Sequence, residues 1–275
     1  MNIPLEDLVG DVIGKARRGL RLSESQLVQA AGVTEEQLDA LQNGGAVDQS
    51  ALKRVAGALA LNPAALLAMA HGAWHPGEVA KPAGFAAFNT PFRDMTVNFY
   101  LAWDHEGGHA AAFDAGTDCD PMLAALKAHR LTLDAIFLTH THTDHVAELD
   151  RLVEKTGAPV YVSALEPLAG AEPIQEGREF QVGGLRIATR LTPGHSPGGM
   201  TYVVTGCEPG LAVVGDALFA SSMGGAGPEV YAAALRANRA QILSLPGSTV
   251  ICPGHGPLTT PALELEHNPF YSNSL

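Results

Sequence analysis

The sequence predicts a mixed α/β domain, layered from sheets and helices, preceded by a small all-α module. Three observations carry this. Apolar residues recur at three- and four-residue spacings over residues 5–70, the mark of amphipathic helices. From about residue 91, short apolar runs alternate with turn signals, as strands do. Helical stretches lie between some of those runs, which suggests layers of both element types.

Each helix of the first module has a start signal. Ser23 can cap SESQLVQAA, which ends at Gly32, and Thr34 can cap TEEQLDALQ, which ends at Gly44 and Gly45. Asp48 can open SALKRVAGALA, and Asn62-Pro63 can open AALLAMA. Residues 71–90 carry Pro and Gly without periodicity and read as a linker. The second domain is expected over 91–275. Its expected strands are TVNFYLAW, HAAAFDAG, DAIFLTH, APVYVS, LRIATRLT, MTYVVTG, LAVVGD and STVICPGH. Its expected helices are PMLAALKAHR, VAELDRLVEKTG and EVYAAALRANRAQILSL.

Bulk composition narrows the function. With 46% hydrophobic and 17% charged residues in 275, the chain can bury a core and global disorder is not expected. A formal charge of -12 argues against a general binder of nucleic acid or acidic membranes, since both need excess Lys and Arg. Cys119, Cys207 and Cys252 form no CxxC pair and are odd in number, so a reducing cytoplasm is expected. The start MNIPLEDLVGDVIGKARRGL lacks the pattern of a signal peptide. No run of about 20 apolar residues suggests a membrane span.

The chemistry concentrates in Thr139-His140-Thr141-His142-Thr143-Asp144-His145, directly after the apolar run Ala135 to Leu138. Residues two apart in extended chain point the same way, so His140 and His142 can grip one metal ion. Asp144 and His145 sit where the chain turns into a helix and can face a second ion. His195 in TPGHSPG, Asp216 in GDA and His255 in CPGHGP each follow a predicted strand. Strand ends are where open α/β folds place their chemistry. No G-x-S-x-G elbow occurs, so a serine nucleophile has no support.

THTHTDH followed in order by TPGHSPG, GDALF and CPGHGP resembles the metallo-β-lactamase-fold hydrolases over residues 91–275. Within that superfamily, PGHGPLTTPALELEHNPFYS is similar to the tail of the glyoxalase II-like hydroxyacylglutathione hydrolases. The resemblance implies an αββα sandwich. It implies one metal on His140, His142 and His195, a second on Asp144, His145 and His255, and Asp216 between them. Two divalent ions are expected, zinc first, with iron or manganese as alternatives. The implied reaction is attack by a metal-bridging hydroxide on the carbonyl of a small thioester or other acyl substrate, such as a glutathione conjugate. Asp144, His145 and Asp216 are the expected catalytic residues, with Asp144 placed to accept a proton. A lactone is an alternative substrate. Persulfide dioxygenases share the fold and hold one iron on the equivalents of His140, His195 and Asp216.

One departure stands out. Glutathione-using relatives carry a basic residue after GDxLF, where this chain reads Ala220-Ser221-Ser222-Met223-Gly224-Gly225-Ala226. A glutathione carboxylate would lose a charge-assisted contact worth roughly 1.5–3 kcal/mol. Arg93, Arg178 or Arg236 can stand in only if the fold brings one near.

Residues 8–70 resemble a helix-turn-helix domain of the Cro/repressor type, whose helix from Thr34 would enter the major groove. Glu35, Glu36 and Asp39 sit where DNA-facing residues belong, and Glu24 replaces the usual Gln. Carboxylates repel phosphate, so nucleic acid is not expected as a partner. The module is expected to dimerise the chain or cover the pocket, and a homodimer is expected. A metabolite-responsive DNA-binding regulator is the alternative. His105 and His109 read as an exposed hairpin turn. Asp114 reads as shaping a loop near the metals, Cys252 as buried packing, and Trp74 and Trp103 as core or interface. His71, His75, His129 and His267 have no evident partner in the sequence.

Overall fold

Side-chain caps set the first helices where the sequence places them. The computed structural model describes residues 3–272. It begins with α1 (Val9–Gly19), α2 (Glu24–Ala31), α3 (Glu35–Gln42), α4 (Gln49–Ala58) and α5 (Pro63–Ala70). The side chains of Ser23, Thr34, Asp48 and Asn62 each accept from the first-turn N–H groups of the helix they precede. Gly32 closes α2 with φ 62°, in the left-handed region that glycine favours.

The first sheet contains β1 (Phe85–Phe92), β2 (Met95–Trp103) and β3 (His109–Phe113), then β4 (Thr132–Phe137) after α6 (Asp120–His129). The chain continues through α7 (Thr143–Val146) and α8 (Leu149–Thr156) into β5 (Val160–Ser163) and β6 (Glu172–Ile174). The six strands lie in sequence order, antiparallel from β1 to β3 and parallel from β3 to β6. The second sheet takes β7 (Glu179–Val182), β8 (Leu185–Leu191), β9 (Met200–Thr205) and β10 (Leu211–Gly215). A small hairpin, β11 (Leu218–Phe219) and β12 (Ser222–Met223), and α9 (Tyr231–Gln241) lead to β13 (Val250–Pro253) and α10 (Pro261–His267). The order in this sheet is β13-β10-β9-β8-β7.

Phe113, Phe137, Tyr202, Ile187, Val213 and Cys252 fill the space between the sheets. Met122 and Leu126 of α6 and Leu149 and Leu152 of α8 cover the outer face of the first sheet. These layers form an αββα sandwich. Among the described residues no helix is long and apolar enough to cross a membrane.

Two expectations change. The linker ends sooner than residue 90, because β1 begins at Phe85 and pairs with β2 along its length. Pro91 disguises this strand, yet β1 is an edge strand, where a missing N–H is tolerated. The helical module also does not close a core of its own. Val12, Leu27, Leu52, Val55 and Leu66 share one cluster with Ala212, Val214, Ile251, Ala234, Phe270 and Tyr271. The five helices, with α9, therefore form the outer layer over the second sheet. Gly19 at the end of α1 lies so close to the Tyr231 ring of α9 that a Cβ there would overlap it. Asn62, the cap of α5, donates its backbone N–H to Pro269 O at 2.8 Å.

Candidate metal centre

All seven residues singled out in the sequence lie together at one edge of the sandwich. His140 and His142 follow β4, His195 follows β8, Asp216 follows β10 and His255 follows β13. Asp144 and His145 lie on α7. They fall into two sets of donor atoms, each within 4.8 Å: His140, His142, His195 and Asp216, and Asp144, His145 and His255.

The spacings match what a bound ion requires. Four ligands at 2.0–2.1 Å in a tetrahedron stand about 3.3 Å apart. His142 Nδ1 lies 3.0 Å from both His140 Nε2 and His195 Nε2. Asp216 Oδ2 is 3.3 Å from His195 Nε2 and 3.9 Å from His140 Nε2. In the second set, Asp144 Oδ2 is 3.5 Å from His145 Nε2 and 3.3 Å from His255 Nε2. Asp216 reaches this set too, at 3.5 Å from His145 and 3.4 Å from His255. Three buried atoms of these residues, His145 Nε2, His195 Nδ1 and Asp216 Oδ1, have no hydrogen-bond partner among the described residues. A buried carboxylate oxygen without a partner is costly unless a cation takes its place. The donor chemistry and its orphaned atoms therefore fit divalent ions.

The surroundings hold these rings in one orientation. Asp114, just after β3, accepts from His145 Nδ1, Thr139 Oγ1 and Thr139 N, each at 2.8 Å. Thr139 Oγ1 in turn accepts from His140 Nδ1 at 3.1 Å. One carboxylate thus fixes a ring in each donor set and leaves both Nε2 atoms facing inward, the role outer partners play around metals. Asp114 holds this place with φ 60°, an uncommon conformation for a non-glycine residue. Glu166 accepts from Thr141 Oγ1 at 2.7 Å and from Gly198 N at 3.1 Å, tying the His140 loop to the His195 loop. His255 Nδ1 donates to Thr96 O at 2.7 Å, and Asn98 Nδ2 donates to Gly256 O at 2.8 Å. Gly254 is required by close approach: a Cβ there would overlap Asp216 Oδ1 and stand 2.7 Å from His145 Cε1.

The protonation states follow this geometry. Burial opposes charge on His145, but the Asp114 and Asp216 carboxylates win and push it up to about 10. His255 is likewise opposed by burial and raised to about 11 by Asp144 and Asp216. His140, buried and surrounded by other imidazoles, falls to about 2. Asp216 is held well below the carboxylate range despite burial, by His145 and His255.

Nothing in the sequence marks Glu166 as a clamp, because its partners are 25 and 32 residues away. The loop expected of Asp114 lies beside the donor cluster, but its hold on two rings is visible only in three dimensions. His109 is exposed where the β2–β3 hairpin turn enters β3, as expected, and pairs with Asp134 at 2.8 Å. His129 and His267 find ring partners in Trp103 and Trp74. Cys252 is fully buried, as packing requires. Of the cations considered for the Ala220–Ala226 gap, Arg178 is occupied by Glu172 and the Phe180 ring. The cation found there is Lys15 of α1, which donates to Met223 O at 2.9 Å.

A four-layer sandwich with a His/Asp cluster at its sheet edges defines a class of divalent-metal proteins. The chain belongs to the metallo-beta-lactamase superfamily, whose profile matches residues 93–255. It is 33% identical over 184 residues to the probable metallo-hydrolase YqgX of Bacillus subtilis, covering 58% of this chain and 85% of that one. It is 33% identical over 150 residues to the hydroxyacylglutathione hydrolase of Dechloromonas aromatica, covering 54% of each. Among solved structures it is similar to TTHA1623 in a di-iron-bound form, with TM-score 0.53 and 32% identity, covering 66% of this chain and 99% of that one. The matched family segment begins after α1–α5.

Proposed function

We propose that the chain is a metal-dependent hydrolase of a small thioester or related acyl substrate. The observation that carries this is the pair of donor sets with Asp216 reaching both, and with His145 Nε2 and Asp216 Oδ1 buried without a hydrogen bond among the described residues. His140, His142 and His195 would hold one ion, and Asp144, His145 and His255 the other, with Asp216 between them. Such a pair of ions supplies a hydroxide nucleophile near neutral pH and polarises the substrate carbonyl. The chain supplies the rest. Asp114 keeps His140 and His145 in fixed tautomers, so that no reorganisation accompanies reaction. Asp144, half-buried and held below the carboxylate range by His255 and His145 against the effect of burial, is ionised and placed to take a proton.

A single-iron persulfide dioxygenase would draw on the same seven positions, and the chain is also 26% identical to ETHE1 from Myxococcus xanthus, so metal count and oxygen uptake are what separate the two readings. The di-iron form of TTHA1623 supports two ions, and the similarity to a hydroxyacylglutathione hydrolase supports the acyl class. The N-terminal helices act here as a structural wall rather than a DNA reader. Their apolar faces are spent on the second sheet, and Glu35 and Glu36 are exposed.

The test is anaerobic purification with metal quantification, then assays with S-lactoylglutathione and glutathione persulfide. Two ions per chain and oxygen-independent thioester cleavage are expected. Oxygen-dependent turnover with one iron per chain would overturn the reading. His142→Ala should abolish hydrolysis, and retained activity would displace the first ion from these ligands.

A further inference from the structure

The segment Pro4–Asp7 lies against the loop that carries His255. Glu6 packs on Gly256, the residue after His255: a Cβ added to Gly256 would stand 3.1 Å from the Glu6 nitrogen and 3.4 Å from its Cβ. One residue on, the Asp7 carboxylate binds the Ser222 hydroxyl and the Lys15 ammonium. The adjoining Met223-Gly224 turn lies on the donors, since a Cβ on Gly224 would stand 2.9 Å from His195 Cβ. Lys15 also sits 4.9 Å over the Phe219 ring, which meets the His255 ring at 5.8 Å. The segment therefore joins the His255 loop to the turn beside His195.

The two acids on this segment differ. The Asp7 charge is matched by Lys15, and Lys15 is in turn consumed by Asp7 and Met223 O. Glu6 is half-buried and has no hydrogen bond or ion pair among the described residues. Burial raises its carboxyl, His255 lowers it, Asp7 and Asp216 raise it and Lys15 lowers it, so it feels the charges of the cluster and of Lys15. An anionic substrate arm approaching over the His255 loop would meet a carboxylate without an ion pair among the described residues, and Ala220–Ala226 contains no Lys or Arg.

We propose that Glu6 is a specificity-determining residue, favouring thioesters whose leaving group is neutral or cationic and turning away anionic ones. The inference rests on the hydrolase reading above. It assigns the helical module's leading segment a direct part in substrate choice.

The test uses the metal-loaded full chain and its Glu6→Gln variant with lactoyl thioesters of thiocholine and glutathione. The wild type should prefer the cationic thiocholine ester. Glu6→Gln should lower the thiocholine-to-glutathione ratio of kcat/KM by roughly thirtyfold, as one charge acting with opposite sign on the two arms would do in a partly screened cleft. Salt should move the wild-type ratio toward that of the variant. An unchanged ratio would overturn the proposal. Calorimetric binding of S-methylglutathione and of a thiocholine thioether separates the two readings. Charge-selective binding lost in Glu6→Gln, without thioester turnover, would sink the hydrolase and keep the role of Glu6. Turnover with charge-blind binding would do the reverse.

Discussion

Replacing Asp114 should loosen the metal centre without touching any proposed ligand. Its carboxylate is 2% exposed and satisfies three buried donors, Thr139 N, Thr139 Oγ1 and His145 Nδ1, each at 2.8 Å. Asp114→Ala would strand all three, at about 1–3 kcal/mol each, a large part of a typical domain stability of roughly 5–15 kcal/mol. That variant tests folding more than function. Asp114→Asn is the sharper change. It keeps the shape and one acceptor, but either amide orientation sets an N–H against a donor. The expected cost is about 1–3 kcal/mol of stability, with a fall in melting temperature of a few degrees per kcal/mol. Metal affinity should fall roughly 10–100-fold, because His145 and His140 lose their fixed orientation. Chelator competition with metal quantification reads the affinity, and thermal melting of the metal-free chain reads the stability. Unchanged metal affinity in a variant that melts lower would refute the reasoning, leaving Asp114 a loop-shaping residue only.

Other predictions follow from neighbouring features. Gly254→Ala should lower metal stoichiometry and cut turnover more than about tenfold, because its Cβ drives into Asp216 and His145; full loading would contradict this. In the metal-free chain His145 and His255 are protonated at neutral pH, so loading at pH 7 should release protons and affinity should rise with pH. A pH indicator in weak buffer measures the release, and its absence would count against the charge pattern. Glu264, fully buried, is raised to about 7 by burial, against the bonds from Thr259, Asn268 and Ser221. Its raised value means the folded chain holds a proton that the unfolded chain gives up. That contribution is complete below about 4.5 and is lost as pH rises toward 7, by roughly 3 kcal/mol. Denaturant melts of the metal-free chain should show a flatter profile over that window in Glu264→Gln, and an identical slope would dismiss the assignment.

Sequence legibility followed the range of the interaction. Ser23, Thr34, Asp48 and Asn62 cap helices through contacts within three residues, and their sequence signals found the right ends. The seven His and Asp residues could be grouped because each follows a strand or opens a helix, and strand ends converge at one edge. The β1 strand hid behind Pro91 and Asn89, which are poor strand formers acceptable only because it lies at an edge. Helix VAELDRLVEKTG reads as continuous but breaks between Val146 and Leu149, where Glu148 N donates to Gly116 O at 3.2 Å. Asp114, Glu166, Glu6 and Lys15 act through contacts between distant segments, and no local pattern encodes those.

The cluster shared by the first helices and the second sheet sets an order of events during synthesis. Helices α1–α5 leave the ribosome before the partners they pack against, Ala212, Val214, Ile251, Phe270 and Tyr271. Asn62 waits some two hundred residues for Pro269 and Ser272. The nascent helices therefore leave Leu52, Val55 and Leu66 without these partners until the second sheet is made, a window in which aggregation competes for them. A truncated product ending before β10 would keep that face uncovered.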